Sequence, residues 1–176
     1  MPTRSAVRTP RARRPPAVRL DATLQFMQCL WAVDHALQSL SKRMWRQLGL
    51  TGPQRLVLRI LGTQPGLSPG ELAAVLHIHP STLTGIVQRL EALSLVRRTV
   101  ERSDRRRMNL HLTAAGRALD RPTPGTIEAA VRRALRDASR TSVAATVRLL
   151  TAVATELQAT AATAAAAPAR RDRRGR

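Results

Sequence analysis

Residues 80–92 combine the apolar spacing of a helix with a face of small polar side chains. Leu83, Val87 and Leu90 recur at helical intervals, which places them on one side of the helix. The other side carries hydroxyl, amide and guanidinium groups, from Ser81, Thr82, Thr84, Gln88 and Arg89. Such groups can bond to base edges, and a helix without bulk fits closely into a major groove of DNA. An ordinary amphipathic surface helix has a similar pattern, so the flanking residues must decide.

A second short helix precedes this one, and only residues 77–79 separate the two. Ser68, Pro69 and Glu71 form the start expected of a capping box with proline in the first helical turn. Pro80 marks the start of the following helix, which His79 can cap. Two short helices joined by such a turn indicate a helix-turn-helix, whose second helix reads DNA.

An arginine-rich segment lies between two candidate strands after the helix pair. Residues 95–100 and 108–112 have the composition and alternation of strands, and they form a ribbon that must pack against the helices. The residues expected to face inward are Val96, Met108, Leu110 and Leu112. Between the strands, the tip contains Arg102, Asp104, Arg105, Arg106 and Arg107.

The chemistry of this tip suits a nucleic-acid backbone. Arginine side chains can cross phosphates and enter a narrow minor groove. Asp104 interrupts the positive charge, and its carboxylate can hold a guanidinium in one orientation. The alternative is a solvated basic hairpin without a partner.

The order of these motifs resembles the MarR (multiple antibiotic resistance regulator) family of transcription factors. The resemblance rests on LTGPQRLVLRIL at residues 50–61, on LSPGELAAVL with HPSTLTGIVQRLE, and on SDRRRMNLHLT followed by AAG. It is close over residues 21–120 and looser to about residue 160. It implies a homodimer that binds pseudo-palindromic operators, with Asp104 orienting Arg106 in the minor groove.

Charge supports a polyanionic partner. The formal net charge is +19. Residues 1–20 contain six Arg and no acidic residue, and residues 168–176 contain five Arg and one Asp, so the body keeps a charge of +9. Nucleic acid and an acidic membrane surface both fit such a charge, but the helix pair and ribbon favour double-stranded DNA. No run is long and apolar enough to span a membrane, and no membrane partner is expected.

Other features of composition narrow the class further. Aromatic residues make up 2% of the chain and there is no Tyr, which argues against stacking on single-stranded bases. The single cysteine excludes an intramolecular disulfide and suggests a cytoplasmic protein. No nucleophile–base pair, phosphate loop or carboxylate pair is found, so we expect no enzyme activity and no cofactor.

The chain is expected to contain one domain with two basic ends. Residues 1–20 are predicted to be a disordered basic arm, residues 21–160 a MarR-like domain, and residues 161–176 an Ala-rich and basic tail. Within the domain, residues 51–113 would form the winged helix, and residues 21–48 and 114–160 the dimerisation helices. The helical segment of residues 114–160 is expected to be interrupted at residues 121–125, because two prolines and a glycine there should break a helix. The family usually has a continuous helix at this point.

Several other residues have two interpretations. The resemblance implies an effector pocket, for which Trp31, His35, Met44 and Trp45 are candidates, although each could equally belong to the core or the dimer interface. His77 and His79 lack carboxylate or cysteine neighbours at ligand spacing, so no metal site is predicted. Cys29 lies where peroxide sensors of the family carry a reactive thiol, but it has no basic neighbour in sequence. A buried structural cysteine is the default expectation.

The sequence therefore predicts a mainly α-helical winged helix-turn-helix protein. Ser81, Thr82, Thr84 and Gln88 would contact base edges, while Arg89 would contact phosphate. Arg106 would enter the minor groove, and Arg102, Arg105 and Arg107 would neutralise phosphates. The expected function is a sequence-specific transcriptional regulator, as a ligand-responsive homodimeric repressor. The alternative is an architectural protein that binds DNA without sequence preference.

Overall fold

The computed structural model describes residues 19–100 and 108–166. These residues form seven helices and a two-stranded antiparallel sheet. The elements are α1 (Ala22–Leu48), α2 (Gly52–Thr63), α3 (Pro69–Leu76), α4 (Pro80–Ala92), β1 (Val96–Val100), β2 (Met108–Leu112), α5 (Ala114–Leu119), α6 (Ile127–Ala134) and α7 (Arg140–Ala166). The prediction of a mainly α-helical winged helix-turn-helix is confirmed.

The chain divides into two units, and the division falls within α1 after Ser39. The hydrophobic core lies in the second unit, where α2, α3 and α4 pack against the sheet. Its buried members are Leu50, Val57, Leu58, Leu61, Leu72, Ala73, Leu83, Val87, Leu90, Leu95, Val96, Leu110 and Leu112. In the first unit, α1 presents Leu24, Met27, Trp31 and Leu37 to solvent.

Capping boxes start α2 and α3, and the one at α3 is the box that the sequence predicts. The Thr51 hydroxyl accepts from the backbone N–H of Gln54 at 3.5 Å, and the Gln54 side chain accepts from the Thr51 N–H at 2.9 Å. Ser68 and Glu71 make the equivalent pair at the start of α3. These reciprocal bonds satisfy N–H groups that a helix start leaves without partners.

The middle of the ribbon is hydrogen-bonded to the loop between α2 and α3. Leu110 donates its N–H to the carbonyl of Leu67 at 2.9 Å, and its own carbonyl accepts from Gly66 at 3.1 Å. The predicted inward residues Val96, Leu110 and Leu112 are buried, whereas Met108 is 40% exposed. The prediction for Met108 was wrong because this residue, paired with exposed Val100, lies beyond the point where the ribbon meets the helices.

The predicted break after α5 is present, and a buried arginine holds it in place. α5 ends at Leu119 and α6 begins at Ile127. The guanidinium of Arg55 on α2 is 2% exposed and bonds to the carboxylate of Glu128 at 2.7–2.8 Å. It also donates to the carbonyls of Leu119 and Arg121. One side chain thus joins the end of α5, the following turn and the first turn of α6.

A second ion pair holds the same turn to α2. Arg59 donates to the carboxylate of Asp120 at 2.7 Å and also to its backbone carbonyl. Gly62 makes room for this pair, because a Cβ at that position would overlap the Asp120 carboxylate. After α6, α7 begins at Arg140 and continues to Ala166. Residues 161–166, which were assigned to the Ala-rich tail, thus continue this helix.

The Leu-Thr-x-x-Gly sequence at residues 112–116 closes the winged helix. The Thr113 hydroxyl donates to the carbonyl of Ser94 at 2.7 Å and accepts from the N–H of Gly116 at 3.0 Å, which caps α5. The Gly116 backbone lies so close to the carbonyl of Leu95 that a Cβ would overlap it. A glycine is therefore required where α5 crosses the start of β1.

Gly116→Ala should lower the free energy of unfolding by about 1–3 kcal/mol, because the new methyl group forces backbone apart in a packed region. Urea denaturation at neutral pH measures this. Gly70→Ala is the matched control, because a Cβ there meets no atom within 4 Å and alanine favours a helix. Equal stability of the two variants would contradict the close-approach explanation.

The ion pair of Glu128 should make stability depend on acidity. Partial burial raises the pKa of Glu128, but the hydrogen bond and charge of Arg55 outweigh it and hold the pKa below the usual 4.5. The carboxylate therefore stabilises the fold above about pH 4.5, and this contribution disappears as the pH falls through the lowered value.

We expect Glu128→Gln to be less stable than the natural protein at pH 7 by roughly 1–2 kcal/mol, discounted for partial exposure. The difference should shrink as the pH falls from about 4.5 through the lowered pKa of Glu128, because protonation then makes the natural side chain neutral as well. Urea denaturation from pH 7 to pH 3.5 measures it, with Glu156→Gln on exposed α7 as the control. A difference that stays constant over this range would count against the ion pair.

Candidate nucleic-acid interface

α4 has one buried side and one exposed side. Leu83, Val87 and Leu90 are each at most 1% exposed, and their burial fixes the rotation of the helix. All five polar residues singled out from the sequence are exposed: Ser81, Thr82, Thr84, Gln88 and Arg89. The structure therefore brings the predicted base-reading residues together on one accessible face.

Hydrogen bonds at the start of α4 restrict what this face can offer. His79 caps the helix, because its Nδ1 accepts from the Ser81 N–H at 3.3 Å and lies 2.7 Å from the Ser81 hydroxyl. The Thr84 hydroxyl donates to the carbonyl of Pro80 at 2.9 Å. Its only proton is then used, so towards a ligand Thr84 presents acceptor lone pairs and a methyl group.

Gly85 lies at the centre of the exposed face. Among the residues that the structure describes, a Cβ at this position would meet no atom within 4 Å, so their packing does not require glycine. Glycine inside a helix costs about 1 kcal/mol relative to alanine. Its presence leaves the backbone of α4 open to close approach by a molecule from outside.

The two arginines of β1 differ in their surroundings. Arg97 on β1 is exposed, while Arg98 pairs with Glu91 of α4 at 2.9 Å. This ion pair connects the end of α4 to the ribbon, and no local sequence pattern predicts it. The exposed cation of Arg97 is predictable, because Arg97 alternates along the strand with buried Val96.

The five predicted wing-tip residues lie outside the described residues. They are Arg102, Asp104, Arg105, Arg106 and Arg107. The strands on either side end at Val100 and begin at Met108, in antiparallel register. The roles assigned to these five residues therefore stay predictions from the sequence and its resemblance.

A groove of about 510 Å³ lies between α1 and α4, within the second unit. Its lining consists of Ser41, Lys42, Trp45, Arg46, Thr51 and Arg89. Among the four candidate effector residues, Trp45 lines this groove and is 51% exposed, whereas Met44 is fully buried in the core. Trp31 and His35 are exposed on the part of α1 that belongs to the first unit. The groove thus combines one aromatic surface with three cations.

Cys29 is exposed on α1, contrary to the expectation of a buried cysteine. It lies on the part of α1 whose residues face solvent, and it lines a shallow hollow with Arg19, Leu20, Gln25 and Gln28. Within residues 19–100 and 108–166, no three His, Cys, Asp or Glu side chains come together as a metal site. The same residues include no helix that could cross a membrane.

Comparison with known proteins identifies the family of this fold. The family model described as MarR family matches residues 48–107. The HTH-type transcriptional repressor Rv2887 of Mycobacterium tuberculosis is 34% identical over 115 residues, which cover 65% of this chain and 81% of that protein. The chain belongs to the MarR family. It is thus a winged helix-turn-helix transcriptional regulator.

A second relative of this MarR-family protein is longer. The HTH-type transcriptional regulator TtmR of Methylorubrum extorquens is 38% identical over 100 residues, which cover 57% of this chain and 50% of TtmR. The chain therefore spans about half the length of that relative. The other half of TtmR has no counterpart in the match.

Solved structures show the same fold at low identity. MepR of S. aureus, solved as a complex with DNA, has a TM-score of 0.61 and 22% identity, covering 75% of this chain and 97% of MepR. PcaV of Streptomyces coelicolor, solved with its natural ligand, has a TM-score of 0.59 and 23% identity, covering 78% of this chain and 97% of PcaV. At these identities the similarity establishes the architecture.

Proposed function

We propose that this MarR-family regulator acts as a homodimeric repressor that reads two DNA half-sites with α4. The observation that carries this proposal is the exposed face of α4, where polar groups surround Gly85. A helix of this shape fits the major groove closely enough for short side chains to reach base edges. Rv2887, which shares 34% identity with this chain, is named a repressor, and this supports repression as the outcome of binding.

Each side chain on the α4 face has a defined task in this proposal. Ser81, Thr82 and Gln88 contact base edges as donors or acceptors. Thr84, whose proton is used by Pro80, accepts from a base amino group or contacts a thymine methyl group. Arg89 contacts phosphate, which positions the helix without specifying sequence.

The wing contributes through the neighbouring minor groove. Its roles follow from the sequence resemblance, with Arg106 entering the groove and Asp104 orienting it. Arg102, Arg105 and Arg107 neutralise phosphates, and exposed Arg97 extends this basic surface along β1. The basic residues 1–20 and 168–176 add contacts with phosphate that do not depend on sequence.

The dimer is proposed from apolar side chains that one chain leaves uncovered. In the first unit these are Leu24, Met27, Trp31 and Leu37 of α1, and in the second Val147, Leu150 and Leu157 of α7. Apolar residues that recur along a helix and face water mark an interaction surface. A two-fold dimer would present two copies of α4, which matches pseudo-palindromic operators.

The groove beside Trp45 is the proposed effector site. An aromatic carboxylate fits it, because the ring can stack on the indole while Lys42, Arg46 and Arg89 neutralise the anion. Arg89 is shared with the proposed DNA surface. A ligand that binds Arg89 would withdraw this cation from phosphate, and DNA affinity would fall.

Retention of genomic DNA tests the proposed regulator. The full chain, immobilised at about physiological salt where non-specific binding is weak, is mixed with sheared genomic DNA, and the retained fragments are sequenced. We expect a few promoter fragments that share an inverted repeat, because two copies of α4 would read two half-sites. Uniform retention along the genome would instead favour architectural binding, which the net charge of +19 also permits.

Gln88→Ala tests whether α4 reads the sequence of a recovered operator. It should lower affinity for a recovered operator by about 1–3 kcal/mol but leave affinity for unrelated DNA unchanged, because an amide reads bases and carries no charge. Fluorescence anisotropy with both duplexes measures the two affinities. Equal losses on both duplexes would remove Gln88 from the base-reading set.

Benzoate binding tests the effector site. The chain has two Trp, so Trp31→Phe leaves Trp45 as the only indole that reports on the groove. Saturable quenching of this fluorescence is expected with benzoate but not with benzamide, which lacks the negative charge. Benzoate should also weaken operator binding by roughly five- to 150-fold at saturation, the usual range of coupling between two sites.

Lys42→Gln in the Trp31→Phe background is the matched variant. It removes one cation from the groove without touching the α4 face, and benzoate affinity should fall about tenfold or more while DNA affinity is retained. Quenching that is unchanged in Lys42→Gln would exclude this groove as the benzoate site.

A further inference from the structure

α5 and α6 do not form one continuous helix, so the direction of α6 must be set by contacts outside the helix backbone. Residues 120–126 separate the two helices, and Gly125 has a φ of +77°. Pro122 and Pro124 lack the backbone N–H groups that would continue a helix ladder. The chain alone would allow α6 many directions relative to the winged helix.

Arg55 removes this freedom by binding both sides of the break. Its Nη1 donates to the carbonyl of Leu119, and its Nη2 donates to the carbonyl of Arg121 at 2.7 Å. The Nη2 also lies 2.7 Å from the Glu128 carboxylate, with which it forms an ion pair. The Nε also donates to Glu128, at 2.8 Å. A planar guanidinium offers these donors in fixed directions, so the three acceptors must keep one arrangement.

Packing strengthens this arrangement. Ile127, the first residue of α6, places its Cδ1 atom 2.6 Å from the position a Gly52 Cβ would occupy. Thr126 is 1% exposed and donates to the carbonyl of Thr123 at 2.7 Å. α6 is therefore seated directly on the first turn of α2, beside the buried guanidinium.

We propose that Arg55 is a positioning residue that fixes the direction of α6 and α7 relative to α4. It does not contact DNA. It determines the separation of the two α4 helices in the dimer, and thereby the half-site spacing that the regulator prefers. This inference rests on the proposed homodimer, because only a dimer reads two half-sites at a set spacing.

The first measurement is the distance between the two α4 helices in the full-length protein. Cys29→Ser removes the only cysteine, and Ala92→Cys at the exposed end of α4 accepts a nitroxide label. Pulsed electron resonance should give one narrow distance distribution in this background. Adding Arg55→Lys should broaden it, because an ammonium keeps the charge but cannot hold three acceptors in fixed directions.

The second measurement uses duplexes in which two copies of the operator half-site are separated by the natural spacer or by one base pair more or less. Each base pair moves the half-sites by about 3.4 Å. The background protein should prefer one spacer by roughly tenfold or more, and Arg55→Lys should reduce this preference to about threefold or less. Affinity for a duplex with a single half-site should stay the same, because α4 itself is unchanged.

Two further variants isolate the role of the guanidinium. Arg121→Ala removes an exposed charge from the same turn but keeps the carbonyl that Arg55 binds, so it should behave as the background. Glu128→Ala releases α6 while Arg55 keeps its two carbonyl partners, and it should also broaden the distances. If Arg55→Lys fails to fold by circular dichroism, Glu128→Ala provides the test.

The outcomes separate the inference from the function on which it rests. Broadened distances together with weakened spacing preference, in Arg55→Lys or Glu128→Ala, support the positioning role. A narrow distribution and steep preference retained in the folded variants would overturn it and leave the homodimer standing. Absence of any dipolar signal in the background protein would overturn the homodimer, and the positioning role with it.

Discussion

The burial of three side chains on α4 is the constraint on which the proposed DNA-reading surface depends. Leu83, Val87 and Leu90 are almost completely buried, and each contributes about 1.5–3 kcal/mol relative to exposure. A different rotation of α4 would expose them and bury hydroxyl and amide groups without partners. The direction in which Ser81, Thr84 and Gln88 point is therefore a consequence of core packing, and no polar contact is needed to set it.

Backbone geometry at the two ends of α4 completes this placement. His77 and Ser94 both have positive φ angles, of 51° and 55°, a region that few residues other than glycine adopt. His77 lies in the turn between α3 and α4, and Ser94 lies in the turn between α4 and β1. The Thr113 hydroxyl donates to the carbonyl of Ser94, so the N-cap of α5, directly after β2, holds the turn that follows α4.

Local features of this fold could be predicted from sequence because their causes are local. The capping box at Ser68 and the break at residues 121–125 each depend on residues a few positions apart. Arg55 could not be assigned in this way. Its partners lie 64 to 73 residues away, and an arginine on a helix is usually exposed. Burial was wrongly predicted for Met108 and Cys29, because apolar–polar alternation and residue type do not show where the hydrophobic core ends.

A buried guanidinium is a poor means of gaining stability, and this bears on why Arg55 is present. Arginine stays charged in proteins, and its removal from water offsets much of what its ion pair contributes. Apolar side chains of similar volume could pack between α2 and α6 with comparable stability. They would not fix direction as well, because dispersion contacts tolerate small rotations while a fork of hydrogen bonds does not. The presence of the charged Arg55 at the break between α5 and α6 is therefore better explained by the direction that it imposes on α6 than by a gain in stability.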